Sequence, residues 1–171
     1  MRYHTYPNNY NWGIMPNKSY NPNSTGSNEI SSLMRDVGDI VFMNYGCDGS
    51  GAKDDHIEPG FRSFGYNSAT QIGYAGTNNY KDVIDNIEQG NPVVFTGYKD
   101  TILGVIDKDG HAWVADGYRD IWDCSQGIGY LLFYMNWGWE GSYNGWFYFD
   151  NFNPGNSQYN SGTEVVVNIH P

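Results

Sequence analysis

Apolar residues in the first half of the chain recur at the spacing of a helix. They are Ile30, Leu33, Met34 and Val37. An i, i+3, i+4, i+7 pattern predicts a helix with one buried face. Ser27 or Asn28 is suited to cap its beginning, and Gly38 is suited to end it. Two further helices are predicted over residues 54–64 and 81–89, the second followed directly by a glycine as its left-handed stop.

From residue 92 onward the pattern changes to short extended segments separated by glycine-containing turns. These segments are residues 92–98, 101–107, 111–117, 129–136, 146–150 and 164–169. Helices first and hairpin-linked strands afterwards predict an α+β fold. We expect an antiparallel sheet that curls into a partial barrel, with helices packed on one side. No repeat or linker interrupts the pattern, so residues 1–171 are predicted to form a single domain.

Composition excludes several classes of partner. The formal net charge is −10, which disfavours nucleic acid and anionic membranes because phosphate binding needs clustered Lys and Arg. No apolar run approaches the length of a membrane span. The four histidines show no close spacing with Cys or Asp, so neither a metal nor a cofactor is expected. Cys47 and Cys124 could pair, and the sequence leaves that open.

Two segments combine the residue types of a catalytic base and its support. His111 follows Asp109 and Gly110 at the head of an apolar strand, and Asn136 with Trp137 ends another. A cysteine peptidase needs a histidine general base and a polar group that fixes its tautomer. We expect the Asn136 amide oxygen to lie about 2.7–3.2 Å from His111 Nδ1, which would leave Nε2 for a thiol. If the two side chains lay on opposite sheet faces, the catalytic interpretation of this pair would be removed altogether.

These segments resemble the histidine and Asn-Trp motifs of the streptopain family of papain-like cysteine peptidases. The similarity continues in order along the chain, through residues 10–16, 29–38, 49–52, 92–97, 110–118, 136–141 and 145–150. The resemblance implies a papain-like fold of the streptopain type. It also implies a bacterial secreted endopeptidase, extracellular or periplasmic, whose partner is a polypeptide substrate, an inhibitor or a propeptide.

The resemblance also implies a role for each matching residue. His111 is the general base, and Asn136 and Trp137 support it. Gly110 and Ser50 lie on the substrate-binding cleft, and Trp139 lines the site.

The family's nucleophile has no counterpart within the chain. It starts a helix whose end resembles residues 1–4, so the nucleophile is expected before Met1, and the N-terminal part of the domain is expected to be truncated. Cys47 in a glycine-rich loop and Cys124 in a polar turn are poor substitutes, because neither begins a helix whose dipole would lower the thiol pKa. The chain alone is therefore predicted to be inactive.

Three explanations for this departure stay open. The start can be misassigned, the upstream part can be separate or lost, or the domain can be a pseudopeptidase that binds protein or glycan in the same cleft. Loss of a core helix would leave apolar surface bare, and large bare patches rarely persist. We therefore expect that the chain self-associates through that face or covers it with its own N-terminal arm.

Overall fold

The structure is a computed structural model that describes residues 10–16, 21, 23–47, 49–74, 78–99 and 109–170. The chain divides into two compact units, residues 1–68 with Pro171, and residues 69–170. The single domain predicted over residues 1–171 stays a prediction, and the units are described in turn.

The first unit contains the predicted long helix, α1, over Thr25–Ile40. Its cap is Ser24, whose side chain accepts the Ser27 N–H at 3.2 Å, so the predicted caps at Ser27 or Asn28 are wrong. The predicted stop is also wrong, because the helix runs two residues past Gly38. A Cβ added at Gly38 would lie 1.9 Å from the Tyr45 hydroxyl. The glycine therefore permits close approach of a ring and does not end the helix.

The other elements of this unit are short. A 3₁₀ turn spans Trp12–Ile14. The helix predicted over residues 54–64 is a 3₁₀ turn, Asp54–His56, followed by helix α2 over Ile57–Ser63. The apolar stripe predicted on α1 is only partly buried, since Met34 is 60% exposed. The buried Asp36 instead accepts a hydrogen bond from the Tyr10 hydroxyl at 2.6 Å.

The second unit is built on one six-stranded sheet with a helix, α3, over Tyr80–Glu88. The strands are β1 Thr70–Gly73, β2 Val93–Tyr98, β3 Gly110–Asp123, β4 Ile128–Asn136, β5 Gly145–Tyr148 and β6 Ser161–Val167. Their order is β1-β6-β2-β3-β4-β5, and every pairing is antiparallel. The sheet is open, with β1 and β5 at its edges.

The strand predictions succeed in the core of the sheet and fail at its margins. Strand β1 was missed, because four residues are too few to show alternation. Strand β3 is twice the predicted length, since its far half continues as a hairpin with β4. The strand predicted over residues 101–107 lies outside the described residues. Gly90 has a φ of +78°, which confirms the left-handed stop after α3.

One face of the sheet carries the hydrophobic core of the second unit. Its largest fully buried side chains include Phe95, Trp113, Phe133, Met135 and Trp137. Helix α3 closes this core with the buried Val83, while its Ile84 and Ile87 pack at the edge. Alternate residues of β2, β3 and β4 therefore share one inward face, and this face extends to the start of β3.

Candidate active site

His111 lies at the start of β3, on the face that carries the core. Its Cα pairs with Gly97 of β2, and it shares the inward face with Trp113, two residues further on. The entry to the strand is fixed by Lys99, whose N–H donates to the Asp109 carbonyl at 3.1 Å. Its ammonium also lies 2.6 Å from the Asp109 carboxylate. The imidazole is therefore held on a central strand of the sheet.

Four aromatic rings surround the imidazole. Trp139 is the nearest, with ring centroids 4.7 Å apart, and Tyr159 follows at 5.3 Å. The Trp137 and Trp113 rings lie at 6.2 and 6.4 Å and are within 16° of parallel to the imidazole. Rings on several sides restrict rotation of the histidine side chain, which stays half-buried.

The hydrogen bond of His111 fixes its tautomer. Nε2 lies 2.8 Å from the carbonyl oxygen of Trp137. A carbonyl only accepts, so Nε2 carries the proton, and in the neutral ring Nδ1 then carries the lone pair. Burial lowers the pKa of His111 below its ordinary value, and the bond to the Trp137 carbonyl opposes this only in part. At neutral pH the site therefore presents a neutral imidazole with Nδ1 as its base.

Asn136 does not contact His111, so the predicted hydrogen bond is wrong, and so is the catalytic interpretation that paired these two side chains. Asn136 pairs with Val114, and the neighbours of both residues along their strands face the core. The Asn136 side chain therefore lies on the opposite face of the sheet from His111. Its Oδ1 accepts the N–H of Gly138 at 3.0 Å. The orienting acceptor predicted as a side-chain amide is a backbone carbonyl one residue later, and the nitrogen left for a thiol is Nδ1, not Nε2.

The structure brings some of the other predicted site residues together. Trp137 stacks beside His111, and the Trp139 ring lies tilted against it by 32°. Gly110 is exposed at the first position of β3, where an added Cβ would lie 2.9 Å from the Tyr98 ring. Ser50 belongs to the first unit, where it is exposed beside an isolated bridge between Asn44 and Gly51.

Sequence reasoning missed Tyr159 and Asn144. Tyr159 lies in the loop before β6, where its N–H donates to the Phe152 carbonyl at 2.9 Å. Asn144 Oδ1 accepts the N–H of Trp137 at 3.0 Å. Neither residue lies in a periodic pattern. The only sequence signal for Asn144 is its place before Gly145, which is typical of a turn.

Neither cysteine is paired. Both are free and exposed. Cys124 lies in the turn after β3, at the opposite end of that strand from His111. At about 3.3 Å per residue, the length of β3 separates the two by roughly 40 Å. Cys47 lies in the first unit, outside any helix. Within the described residues, no group of three or more His, Cys, Asp or Glu side chains could hold a metal ion.

A neutral histidine held by a carbonyl acceptor beside indole rings can accept a proton at Nδ1, and the α+β fold with its antiparallel sheet is of the papain-like class. Comparison with known proteins agrees. The Peptidase C10 family matches residues 1–147. The chain belongs to this family of cysteine peptidases.

Individual relatives support the same conclusion. The thiol protease/hemagglutinin PrtT of Porphyromonas gingivalis is 31% identical over 98% of this chain, and streptopain of Streptococcus pyogenes is 32% identical over 95%. The chain spans 19% of PrtT and 40% of streptopain. It also matches the solved structure of active interpain A cysteine protease from Prevotella intermedia. That match has a TM-score of 0.76 and 29% identity, over 95% of this chain and 65% of that one. In the described part of the chain, no helix is both long and apolar enough to cross a membrane.

Proposed function

We propose that this chain is the histidine-bearing part of a cysteine endopeptidase, with His111 as the general base. The observation that carries the proposal is the contact between His111 Nε2 and the Trp137 carbonyl at 2.8 Å. That contact commits Nε2 as a donor and leaves Nδ1 as the atom that accepts a proton. The substrate class is a polypeptide.

The proposed chemistry follows from the two ring nitrogens. Nδ1 takes the proton of a thiol, and the thiolate attacks the scissile carbonyl. The imidazolium then gives the Nδ1 proton to the leaving amine, and water hydrolyses the thioester. While His111 is charged, the Trp137 carbonyl stabilises the Nε2–H. The electron-rich faces of Trp139 and Tyr159 stabilise the cation further.

The proposal requires a thiol that lies beside Nδ1. Cys124 is excluded by its distance along β3. Cys47 is not at a helix N-terminus, where a thiol would be activated by the dipole. We therefore propose that residues 1–171 alone do not cleave peptides, and that activity needs a cysteine-bearing segment of the kind the family places before the position of Met1.

The proposed place of action is outside the cell. The relatives are secreted bacterial proteases, and the net charge of −10 disfavours binding to nucleic acids and anionic surfaces. Fractionation of the source organism, followed by detection of the chain in the medium, tests this assignment. Retention in the cytoplasm would contradict it.

The experiment tests three chains with casein as substrate and with a thiol-directed epoxide inhibitor. The 171-residue chain is expected to show neither cleavage nor labelling. The same chain extended at its N-terminus by the family's cysteine-bearing helix is expected to show both, and the extended His111→Ala variant to show neither. Cleavage by the 171-residue chain that is lost in Cys47→Ser would overturn the proposal and make Cys47 the nucleophile.

A second candidate function is a binding module without catalysis, and one surface favours it. On the face of the sheet opposite the core, the Tyr134 and Trp146 rings lie 5.3 Å apart. The Arg119 guanidinium lies 4.3 Å from the centroid of Trp146. Trp146 and Tyr148 are 39% and 48% exposed. Exposed aromatic rings with a guanidinium are typical of protein and glycan recognition.

The two candidates separate in one binding assay with the 171-residue chain. Saturable binding to denatured casein or to dextran that survives His111→Ala would favour the binding module, and loss on Trp146→Ala would place it on this face. We also propose that the chain self-associates, since a second copy of the chain is another candidate protein partner. Light scattering that shows a monomer at all concentrations would contradict self-association.

A further inference from the structure

The loop between β4 and β5, residues 138–144, delivers the carbonyl that holds His111. Four of its residues have left-handed backbones, namely Gly138, Glu140, Gly141 and Tyr143, with φ values of 76°, 53°, 91° and 61°. Such a conformation is unusual for Glu and Tyr and persists only where surrounding contacts fix it. Two backbone hydrogen bonds close the loop, from Ser142 to Trp139 at 2.8 Å and from Asn144 to Gly141 at 3.2 Å.

Two side-chain amides hold the backbone on either side of the Trp137 carbonyl. Asn144 Oδ1 accepts the N–H of Trp137 at 3.0 Å. Asn136 Oδ1 accepts the N–H of Gly138, also at 3.0 Å. The Gly138 N–H and the Trp137 carbonyl belong to one planar peptide group. Fixing that N–H therefore fixes the direction of the carbonyl, while Asn144 fixes the preceding peptide and closes the loop.

We propose that Asn144, together with Asn136, positions the general base by holding the two peptide groups that meet at Trp137, so that the Trp137 carbonyl selects the Nε2–H tautomer of His111. The two amides act through the backbone and do not touch the imidazole. The proposal rests on the proposed function only in calling His111 a general base. The tautomer itself is a property of the folded chain.

The physical reason is a continuous chain of hydrogen bonds. Asn136 polarises the Trp137–Gly138 peptide, and a polarised peptide presents a stronger acceptor to His111 Nε2. Asn144 holds the preceding Asn136–Trp137 peptide, so the backbone at Trp137 cannot turn and carry the carbonyl away from the ring. Without this acceptor the proton is free to move to Nδ1, and a ring protonated there cannot take a proton from a thiol that lies beside Nδ1.

The test is ¹⁵N nuclear magnetic resonance of the 171-residue chain, which reads the share of each His111 tautomer from its ring nitrogens. The wild-type chain is expected to be almost entirely Nε2–H at neutral pH. Asn144→Ala is expected to raise the Nδ1–H share several-fold. Asn144→Asp keeps an acceptor oxygen and is expected to retain the wild-type tautomer. Asn136→Ala removes the hydrogen bond to the Gly138 N–H. It takes the place of Asn144→Ala in the test if that variant does not fold.

A matched control is Asp123→Ala at the far end of β3. Asp123 Oδ1 also holds a turn, by accepting the N–H of Ser125 at 2.9 Å, and its loss is expected to leave the His111 tautomer unchanged. Folded Asn144→Ala and Asn136→Ala chains with the wild-type tautomer ratio would overturn the proposal.

Activity of the cysteine-extended chain gives a separate readout. Asn144→Ala is expected to lower kcat by roughly 10- to 100-fold with little change in KM, because a misplaced base slows chemistry and not binding. Asn144→Asp is expected to restore most of it. If the extended chain shows no turnover at all, the proposed function fails, and the tautomer ratio still decides the positioning role.

Discussion

The two ends of β3 use the same kinds of residue for different purposes. At its start, His111 and Trp113 lie among stacked rings, and Trp113 is 2% exposed. At its far end, Trp122 is 64% exposed and Ile121 is 41% exposed, with only β4 beside them. The register shifts between Ala115 and Gly117, so an irregularity separates the two halves. Aromatic content therefore does not by itself locate a site, and the number of neighbouring elements decides what a tryptophan does.

The largest expected difference between the two ends is catalytic. In the cysteine-extended chain, His111→Ala removes the proposed base and is expected to lower kcat on the order of 10⁶-fold. Trp122→Ala at the other end is expected to leave kcat unchanged. Single-turnover cleavage of a fluorogenic peptide measures both. Comparable losses in the two variants would show that the ends are not functionally distinct.

The next difference is in stability. Trp113→Ala leaves a large cavity in the core and is expected to lower the free energy of unfolding by about 3–5 kcal/mol. Trp122→Ala removes a ring that contacts chiefly its cross-strand neighbour, so a loss below about 1 kcal/mol is expected. Urea unfolding followed by circular dichroism compares them. An equal loss would mean that the far hairpin is packed against something in solution, as self-association would produce.

Close packing at the start of β3 predicts a smaller effect at Gly97. A Cβ added there would lie 2.3 Å from the Tyr159 carbonyl oxygen, so Gly97→Ala must displace the loop that carries Tyr159. Overpacking of this kind costs about 1–3 kcal/mol. Gly73→Ala is the matched control, because that strand glycine has nothing within 4 Å of the added carbon. Thermal unfolding that ranks Gly73→Ala as the more damaging change would contradict the packing described around His111.

The smallest expected effect is a pH dependence of stability. Burial places the pKa of His111 below its ordinary value, so the unfolded chain binds a proton more readily than the folded one. Stability is therefore expected to fall as the pH drops through about 6.5 and below. His111→Gln should flatten this part of the profile. A wild-type chain whose stability rises relative to His111→Gln on acidification would contradict the sign.

The sequence predicted the parts of the molecule that depend on local patterns. The three helices, the strands that carry Phe95, Trp113 and Met135, and the left-handed Gly90 all follow from periodicity or backbone chemistry. The class of fold followed because helices precede hairpin-linked strands.

The orientation of His111 could not be predicted because it depends on a backbone group. Side chains are visible in a sequence, so Asn136 was the natural acceptor, but the carbonyl of Trp137 reaches the ring through the left-handed turn at Gly138. Tyr159 approaches from a loop about fifty residues later in the chain, at a distance that no short-range pattern reports. The helix caps and strand ends also differ from those predicted, because they depend on tertiary contacts such as that of Tyr45 with Gly38.

The assignment of His111 as a base depends most directly on the hydrogen bond between His111 Nε2 and the Trp137 carbonyl. A through-bond scalar coupling between the ¹⁵Nε2 of His111 and the carbonyl ¹³C of Trp137 reports this contact in solution. We predict a measurable coupling when the His111 imidazole is neutral and Nδ1 is unprotonated. The coupling is expected to be lost in the Asn144→Ala variant. A protonated Nδ1 with no coupling to Trp137 would contradict the assignment of His111 as a base held by its backbone.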